Sequence, residues 1–422
     1  MRANNTRVSR TVWLDSGLGL VVVVVTLIGY AYFSRRIALV GRDDGFYLGN
    51  FDLRQKLLEL GIFASAALLA PVATLMIRKF RMGWRPVYIW IGLFGLCIFQ
   101  FGFIVHCGRW QYGGWDYNVL ADTGWREVLG QREYVDYVTP NPPGFNLGIW
   151  AAYKIFGVTW DANLFLTGVF ACITFLWLYW LLVRLSASQL AAMAAAFAIE
   201  CAGVLTLCFW WYNDTALVMA AVCFLSCILQ VEGPESPGAN ISYVTSLAIL
   251  SLMKPNIAGV MIAGGVVFVM LCSANRLRSA LLTAGAAALA VGVLVFARVS
   301  IAALLHSYFA VAKSRGIALS AYHQAPPAEH HVAFFFIAML SLPLLGAAPR
   351  VWRSLTKREW SYAGRALFLL IGLVLALYGL ATNGEFRDVE CTVLLAAGAV
   401  LTLAFRWGRR CFEPSILLCS AP

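Results

Sequence analysis

Asp116 sits between Trp115 and Tyr117, just past an apolar run that ends near residue 105, at the head of a long polar stretch. A carboxylate so placed can take the proton of an attacking hydroxyl, if it lies within hydrogen-bond reach and partial burial tunes its pKa. A lone loop aspartate is more simply a solvated acid. The aromatic flanks and the patterned segment 118–157 behind it make Asp116 the leading catalytic candidate. Asp43 and Asp44, in Arg42-Asp43-Asp44-Gly45-Phe46-Tyr47, compete with it, and helix capping or ion binding are their plainer roles. Asp214 follows Phe209-Trp210-Trp211-Tyr212 at the start of an apolar run. Either Asn213 or Asp214 would satisfy free N–H groups there, or Asp214 is a second acid that binds hydroxyls or a divalent ion, with the aromatics as a stacking surface.

The cations suggest the other half of a reaction. Lys254 stands beside the helix-breaking Pro255. It either snorkels to water or neutralises a phosphate leaving group as charge builds on it. Arg387, Lys313 and Arg315 are rivals for that task, and the guanidinium fork of Arg387 suits phosphate oxygens. His306, His323, His330 and His331 share one polar segment with Glu329 but lack the His-x-x-x-His spacing of a helical zinc site. His330 and His331 read better as loop histidines near a substrate. Glu200 falls inside an apolar run, where a carboxylate suggests function or a hydrogen bond across tightly packed alanines.

These groups need a scaffold, and composition supplies it. Of 422 residues, 61% are hydrophobic and 13% charged, with a mean hydropathy of +0.75; soluble domains carry about 25% charged residues. The expected fold is an all-α, polytopic membrane helical bundle, one integral membrane domain over 1–422. A span needs about 20 apolar residues. Runs of this kind lie near 17–34, 57–77, 87–105, 162–183, 187–209, 215–230, 241–253, 256–273, 279–304, 332–348, 365–382 and 391–406. Arg2, Arg7 and Arg10 before the first run resemble a signal-peptide n-region, but no small-residue cleavage site follows, so it reads as a retained helix.

Lys and Arg gather in loops 78–85 and 349–365, in the 276–278 turn and in the tail after Arg406. Placing these in the cytoplasm puts both termini inside and makes the number of spans even. The run 145–156 is then a helix lying in or dipping into the outer leaflet. On this map the inner loops hold 18 Lys/Arg and 5 Asp/Glu, and the outer ones 14 and 15. The net charge of +11 is thus an inner-face property, and it calls for no nucleic-acid partner. Cysteines lie mostly within spans and form no Cys-x-x-Cys.

Asp116, Ala121-Asp122, Val128-Leu129-Gly130-Gln131, Tyr137, Pro142-Pro143 and Tyr153-Lys154-Ile155-Phe156-Gly157 follow one another in a definite order. That order resembles the first outer loop of GT-C superfamily glycosyltransferases. It is similar in particular to bacterial polyprenyl-phosphate-mannose-dependent α-mannosyltransferases, where an aspartate, an amphipathic helix and a Pro-Pro turn succeed each other. Here Ala121-Asp122 stands for an alanine-glycine pair, and Asn141 precedes the prolines in place of a tyrosine. Tyr212-Asn213-Asp214-Thr215-Ala216-Leu217, Leu250-Ser251-Leu252-Met253-Lys254-Pro255 and Phe386-Arg387-Asp388 are similar to later landmarks of the superfamily.

The resemblance implies a multi-pass plasma (inner) membrane enzyme with its active site in loop 106–161 on the outer, periplasmic or extracellular, face. A sugar, mannose in the nearest pattern, would pass from a polyprenyl-phosphate donor to a glycan, lipid or protein acceptor. Asp116 would be the general base, with Tyr117, Pro142, Pro143, His330 and His331 in the substrate loops. No cofactor is certain and a divalent cation stays open. The alternative is a transporter or flippase of lipid-linked glycans, which calls for several polar residues within spans and pseudo-symmetric halves.

Overall fold

The computed structural model describes residues 86–109, 114–139, 141–185 and 189–310. The spans expected near 17–34, 57–77, 332–348, 365–382 and 391–406 lie outside the described residues, as do Asp43, Asp44, Lys313, Arg315, His330, His331 and Arg387.

The described chain is helical. In order come α1 (Pro86–Gly108), α2 (Gly114–Val128), α3 (Pro143–Phe156), α4 (Trp160–Arg184), α5 (Gln189–Ala202), the single turn α6 (Val204–Leu207), α7 (Tyr212–Glu232), α8 (Pro237–Ser251), α9 (Pro255–Cys272) and α10 (Arg276–Phe296). A further apolar helix, α11, covers Ile301–Ala310. Among the described residues four helical stretches are long and apolar enough to cross a bilayer: Ile89–Gly108, Trp160–Arg184, Asp214–Glu232 and Arg276–Phe296.

Local chemistry sets the helix starts. Thr159 accepts from Ala162 N at 3.2 Å at the head of α4, and Asn275 accepts from Arg278 N at 3.0 Å at the head of α10. Pro143, Pro237 and Pro255 open α3, α8 and α9, where their missing N–H is no loss.

Helix α7 is the centre of the bundle: 83% of its apolar window is inside, against 22% for α1 and for α10. It packs on α4, α8 and α9, while α4 also carries α1 and α5. Phe175, Leu178 and Leu181 of α4, Tyr243 of α8 and Phe268 of α9 are fully buried around it. Outward rows on α1 (Trp90, Ile91, Phe94, Ile98) and α10 (Leu277, Leu281, Leu289, Val295) are exposed. Water would not favour such rows, but hydrocarbon covers them without penalty.

Three expected spans differ from the structure. The 187–209 run breaks at Gly203, whose φ of −92° and ψ of −100° leave the helical region. A side chain there would lie 2.5 Å from Val218 Cγ2, so the break lets the chain pass close against α7. The 279–304 run ends at Phe296 because Arg298 takes a left-handed φ of 58°. Its N–H bonds Val295 O at 3.0 Å while Val299 N bonds Leu294 O at 3.0 Å, the Schellman closure of a helix. The 241–253 run becomes α8, 15 residues and about 22 Å long, shorter than a bilayer core of about 30 Å.

Among the described residues the connections collect at two ends of the bundle. At one end Gly108, the α2–α3 segment, residues 208–212 and residues 252–254 meet. Trp160 Nε1 donates to Gly108 O at 2.9 Å, Trp210 Nε1 to Phe145 O at 3.2 Å and Gly144 N to Leu252 O at 2.9 Å. Arg278 pairs with Glu235 at the opposite end, where Gly238 also packs against Trp180.

Helices α2 and α3 pack through Gly124. A Cβ there would lie 2.3 Å from Ile149 Cγ2 and 3.3 Å from Tyr153 Cδ2. Gly124→Ala is expected to lower the stability of the purified chain by about 1–3 kcal/mol. Adding Ile149→Ala, which removes the clashing methyl, should make the pair less damaging than the sum of the single changes in thermal melts.

Candidate functional site

The segment from Gly114 to Phe156 is two helices joined by a knotted turn. Helix α2 ends in a second Schellman closure: Gly130 N bonds Glu127 O and Gln131 N bonds Arg126 O, each at 3.0 Å, with Gly130 at φ +86°. Its left-handed backbone is natural for glycine. The turn that follows is clamped by Arg132, whose backbone N–H and guanidinium both donate to Asp136 at 2.7 and 3.1 Å. Tyr134 N bonds Tyr137 O at 2.8 Å. Tyr134 itself has φ 59°, a strained value for a bulky residue. Its hydroxyl donates to the carbonyls of Thr139 and Asn141, at 3.0 and 3.2 Å, which holds the strain in place. Tyr134 is buried in one cluster with Ala248, Leu252, Leu294 and Leu304.

Asp116 and Tyr117 fall in the first turn of α2. Pro142 and Pro143 are buried at the head of α3, with Pro142 in extended geometry as N-cap. The α3 start is docked on both neighbouring hairpins through Gly144 N to Leu252 O and Trp210 Nε1 to Phe145 O.

Asp214 is 5% exposed and lies in the first turn of α7. The N-cap residue is Trp211, whose side chain makes no capping bond. A carboxylate in a first turn still favours the positive end of the helix dipole. Lys254 is also 5% exposed, so it does not snorkel to water. It precedes Pro255 at the start of α9 and its Nζ lies 5.4 Å from the centre of the Tyr212 ring, a cation–π contact. A cation at a helix N-terminus opposes the dipole, so its burial there is not explained by helix stability.

The aromatics between these groups form a packed layer. Trp160 meets Phe209 at 6.0 Å, Phe209 meets Trp211 at 5.7 Å, and Trp211 stacks on Tyr212 at 4.7 Å. Phe145 joins the layer against Trp210 at 4.9 Å. Phe209, Trp210 and Trp211 are buried, so they are the floor of this end rather than an open stacking surface.

Sequence reasoning passed over two strongly perturbed acids here, Glu127 and Glu133. Glu133 is 1% exposed and accepts from Asn146 Nδ2 at 2.8 Å. Burial, and then the charge of nearby Glu127, push it up to about 9. Burial pushes Glu127 up to about 7, against the opposing effect of the Tyr137 hydroxyl 3.5 Å away. Two carboxyls with separated affinities for protons are the raw material of acid–base chemistry. Burial likewise raises Tyr134 and Tyr137, whereas the Arg132 bonds lower the exposed Asp136. The signal in the sequence was Glu133-Tyr134 followed by Tyr137, an acid set among aromatics before the prolines.

Glu200 is buried in α5. Among the described residues no group of three or more His, Cys, Asp or Glu side chains is placed to hold a metal ion. No family model matches this chain, and neither curated proteins nor solved structures gave a match.

The raised carboxyls make a pH prediction. Glu133 and Glu127 bind protons more tightly folded than unfolded, so their contribution to stability is complete below the unfolded value near 4.5 and fades as pH rises through about 7 and about 9. Melting temperature should fall from acid to alkaline pH across that window. Glu133→Gln, which cannot ionise, should flatten the fall; an unchanged slope would show that Glu133 does not titrate there.

Proposed function

We propose that this chain is a membrane glycosyltransferase of GT-C type, moving a sugar, mannose in the nearest pattern, from a polyprenyl-phosphate donor to a glycan, lipid or protein acceptor. The observation that carries this reading is the docking of residues 142–145 onto Trp210 and Leu252, which gathers the Asp116 segment, Asp214 and Lys254 at one end of an apolar bundle. The charge asymmetry of the loops makes that end the outer, periplasmic or extracellular, face of the plasma (inner) membrane, with both termini in the cytoplasm.

The donor lipid would lie between helices with its phosphate at the rim. Asp116 takes the proton of the acceptor hydroxyl while that oxygen attacks the anomeric carbon. The bond from this carbon to the phosphate oxygen breaks, and the lipid phosphate leaves with the electron pair. Lys254 stabilises the charge on that phosphate, strongly because the lysine is already out of water. Arg387, Lys313 and Arg315 are the other cations suited to the phosphate, and His330 and His331 complete the substrate loops. Closing the α2–α3 segment over the sugar excludes the water that would hydrolyse the donor. A divalent cation is compatible with Asp214 or with Asp43 and Asp44, but the reaction as written does not require one.

One observation favours the rival reading of a transporter or flippase of lipid-linked glycans. Gln100, Glu200 and Gln230 are 0% exposed within apolar helices. Among the described residues Gln100 and Gln230 have side-chain atoms without hydrogen-bond partners, and such groups in a bilayer commonly mark a polar path.

Transfer from radiolabelled polyprenyl-phosphate mannose, in membranes carrying the native chain or Asp116→Asn, separates these. The substitution should cut transfer about a hundredfold or more with donor binding intact. Equal transfer in both would remove Asp116 as the base and turn attention to Asp43 and Asp44. Movement of the donor across vesicles without any transfer would support the transporter.

A further inference from the structure

Two cysteines meet at the end of the bundle that carries the α2–α3 segment. Cys107 is the next-to-last residue of α1, and Cys208 closes the single turn α6, just before Phe209-Trp210-Trp211. Their side chains are in hydrogen-bond contact, and both are thiols in the structure. The backbones approach as well: a Cβ on Gly108 would stand 2.5 Å from Cys208 O. Each side of the contact is held from elsewhere. Trp160 Nε1 donates to Gly108 O at 2.9 Å. Cys208 N donates to Val204 O at 3.1 Å, and Trp210 N to Asn163 Oδ1 at 2.9 Å.

The backbone at 208 does not ask for a cysteine. It takes φ 56° and ψ 20°, the left-handed region that glycine enters freely and other residues seldom do. Glycine would make the same turn with less strain, so the turn does not account for the residue. The side chain found there is the one that touches Cys107.

Other cysteine contacts among the described residues are less suited to a bond. Cys172 Sγ lies 3.4 Å from Cys97 O, but Cys97 stands midway along α1, where hydrocarbon disfavours the charged thiolate. Cys223 and Cys227 are one turn apart on α7. Cβ atoms so spaced are about 5–6 Å apart, against about 3.5–4.5 Å in a disulfide. Cys107 is half-buried and flanked by exposed His106 and Arg109. Arg109 pairs there with Asp161 at 3.1 Å, within reach of solvent. Thiol–disulfide exchange starts from a thiolate, which forms at such a boundary with water.

We infer that Cys107 and Cys208 form a disulfide that ties α1 to the turn ahead of the aromatic floor. Cys107 gives up its proton and attacks one sulfur of an external disulfide, small or protein-borne. The other sulfur leaves as a thiolate and takes a proton. Cys208 then attacks the Cys107 sulfur of this mixed disulfide, and the second thiolate leaves with the Cys208 proton. The chain loses two electrons, and the external disulfide becomes two thiols. Such bonds persist in a periplasmic or extracellular space and are rare in the cytoplasm. Closure in the cell therefore rests on the outer-face reading; the pairing of the two thiols does not. The loop it closes is about a hundred residues long, a length at which the constraint on the unfolded chain is large.

Cells expressing the native chain are quenched in acid and the chain is denatured in N-ethylmaleimide, so that thiols are trapped as they stood. Mass spectrometry of the unreduced digest should show a peptide pair joining Cys107 to Cys208. The pair should vanish with dithiothreitol and be absent from Cys107→Ser. Reducing the purified native chain should lower its melting temperature by about 5 °C or more, and leave that of Cys107→Ser unmoved. The native measurements need no variant, so a misfolded Cys107→Ser chain does not spare the idea. A purified chain that forms no such link under oxidised glutathione, or joins either residue to another cysteine, would overturn the pair. A linked chain whose melting ignores reduction would overturn the tie. A link that forms in oxidised glutathione, with both cysteines alkylated in cells, would keep the pair and sink the outer-face reading.

Discussion

A backbone bond between two distant turns organises the end of the bundle that carries the α2–α3 segment: Gly144 N–H to Leu252 C=O at 2.9 Å. It exists because residue 144 has no side chain. A Cβ there would lie 2.7 Å from Leu252 O and 2.8 Å from Leu252 Cβ. This approach fixes where α3 begins. Phe145 then offers its carbonyl to Trp210, and Asn146 points its amide at Glu133. On the other strand of the contact, Leu252 stands two residues before Lys254, so the same bond holds the lysine hairpin against the loop. Pro142 and Pro143 stiffen the approach from the other side by fixing φ at successive positions.

Much of this arrangement could be read from the residues. Of the Lys- and Arg-rich connections that sorted the loops into two faces, only the 276–278 turn falls among the described residues, and it lies at the end away from the α2–α3 segment. The Pro-Pro-Gly turn and the apolar run after it announced α3. Helix ends inside continuous apolar sequence were not readable. Nothing in Ala202-Gly203-Val204 distinguishes a packing glycine from a break, because the break is imposed by Val218 on another helix. Arg298 ends α10 with a left-handed turn more often given to glycine.

The chemistry was legible in part. Asp116, Asp214 and Lys254 were chosen by position beside apolar runs, and the last two prove to be buried. Glu133 escaped notice because acids in a polar turn are usually solvated; here Asn146 of α3 lies against it, and its neighbour Tyr134 is buried in one cluster with Leu252 and Leu294. Tertiary cover of that kind has no local signature.

The brevity of α8 has a geometric outcome for any amphiphile reaching this face. Its 15 residues rise about 22 Å from the Ser236 end to Ser251, whereas α4 next door in the bundle has 25 residues and rises about 37 Å. Helices this unequal in length cannot reach one level at both ends of the bundle. A bilayer meeting a short element thins or tilts to match it. A membrane around this bundle would therefore have to match two heights at once.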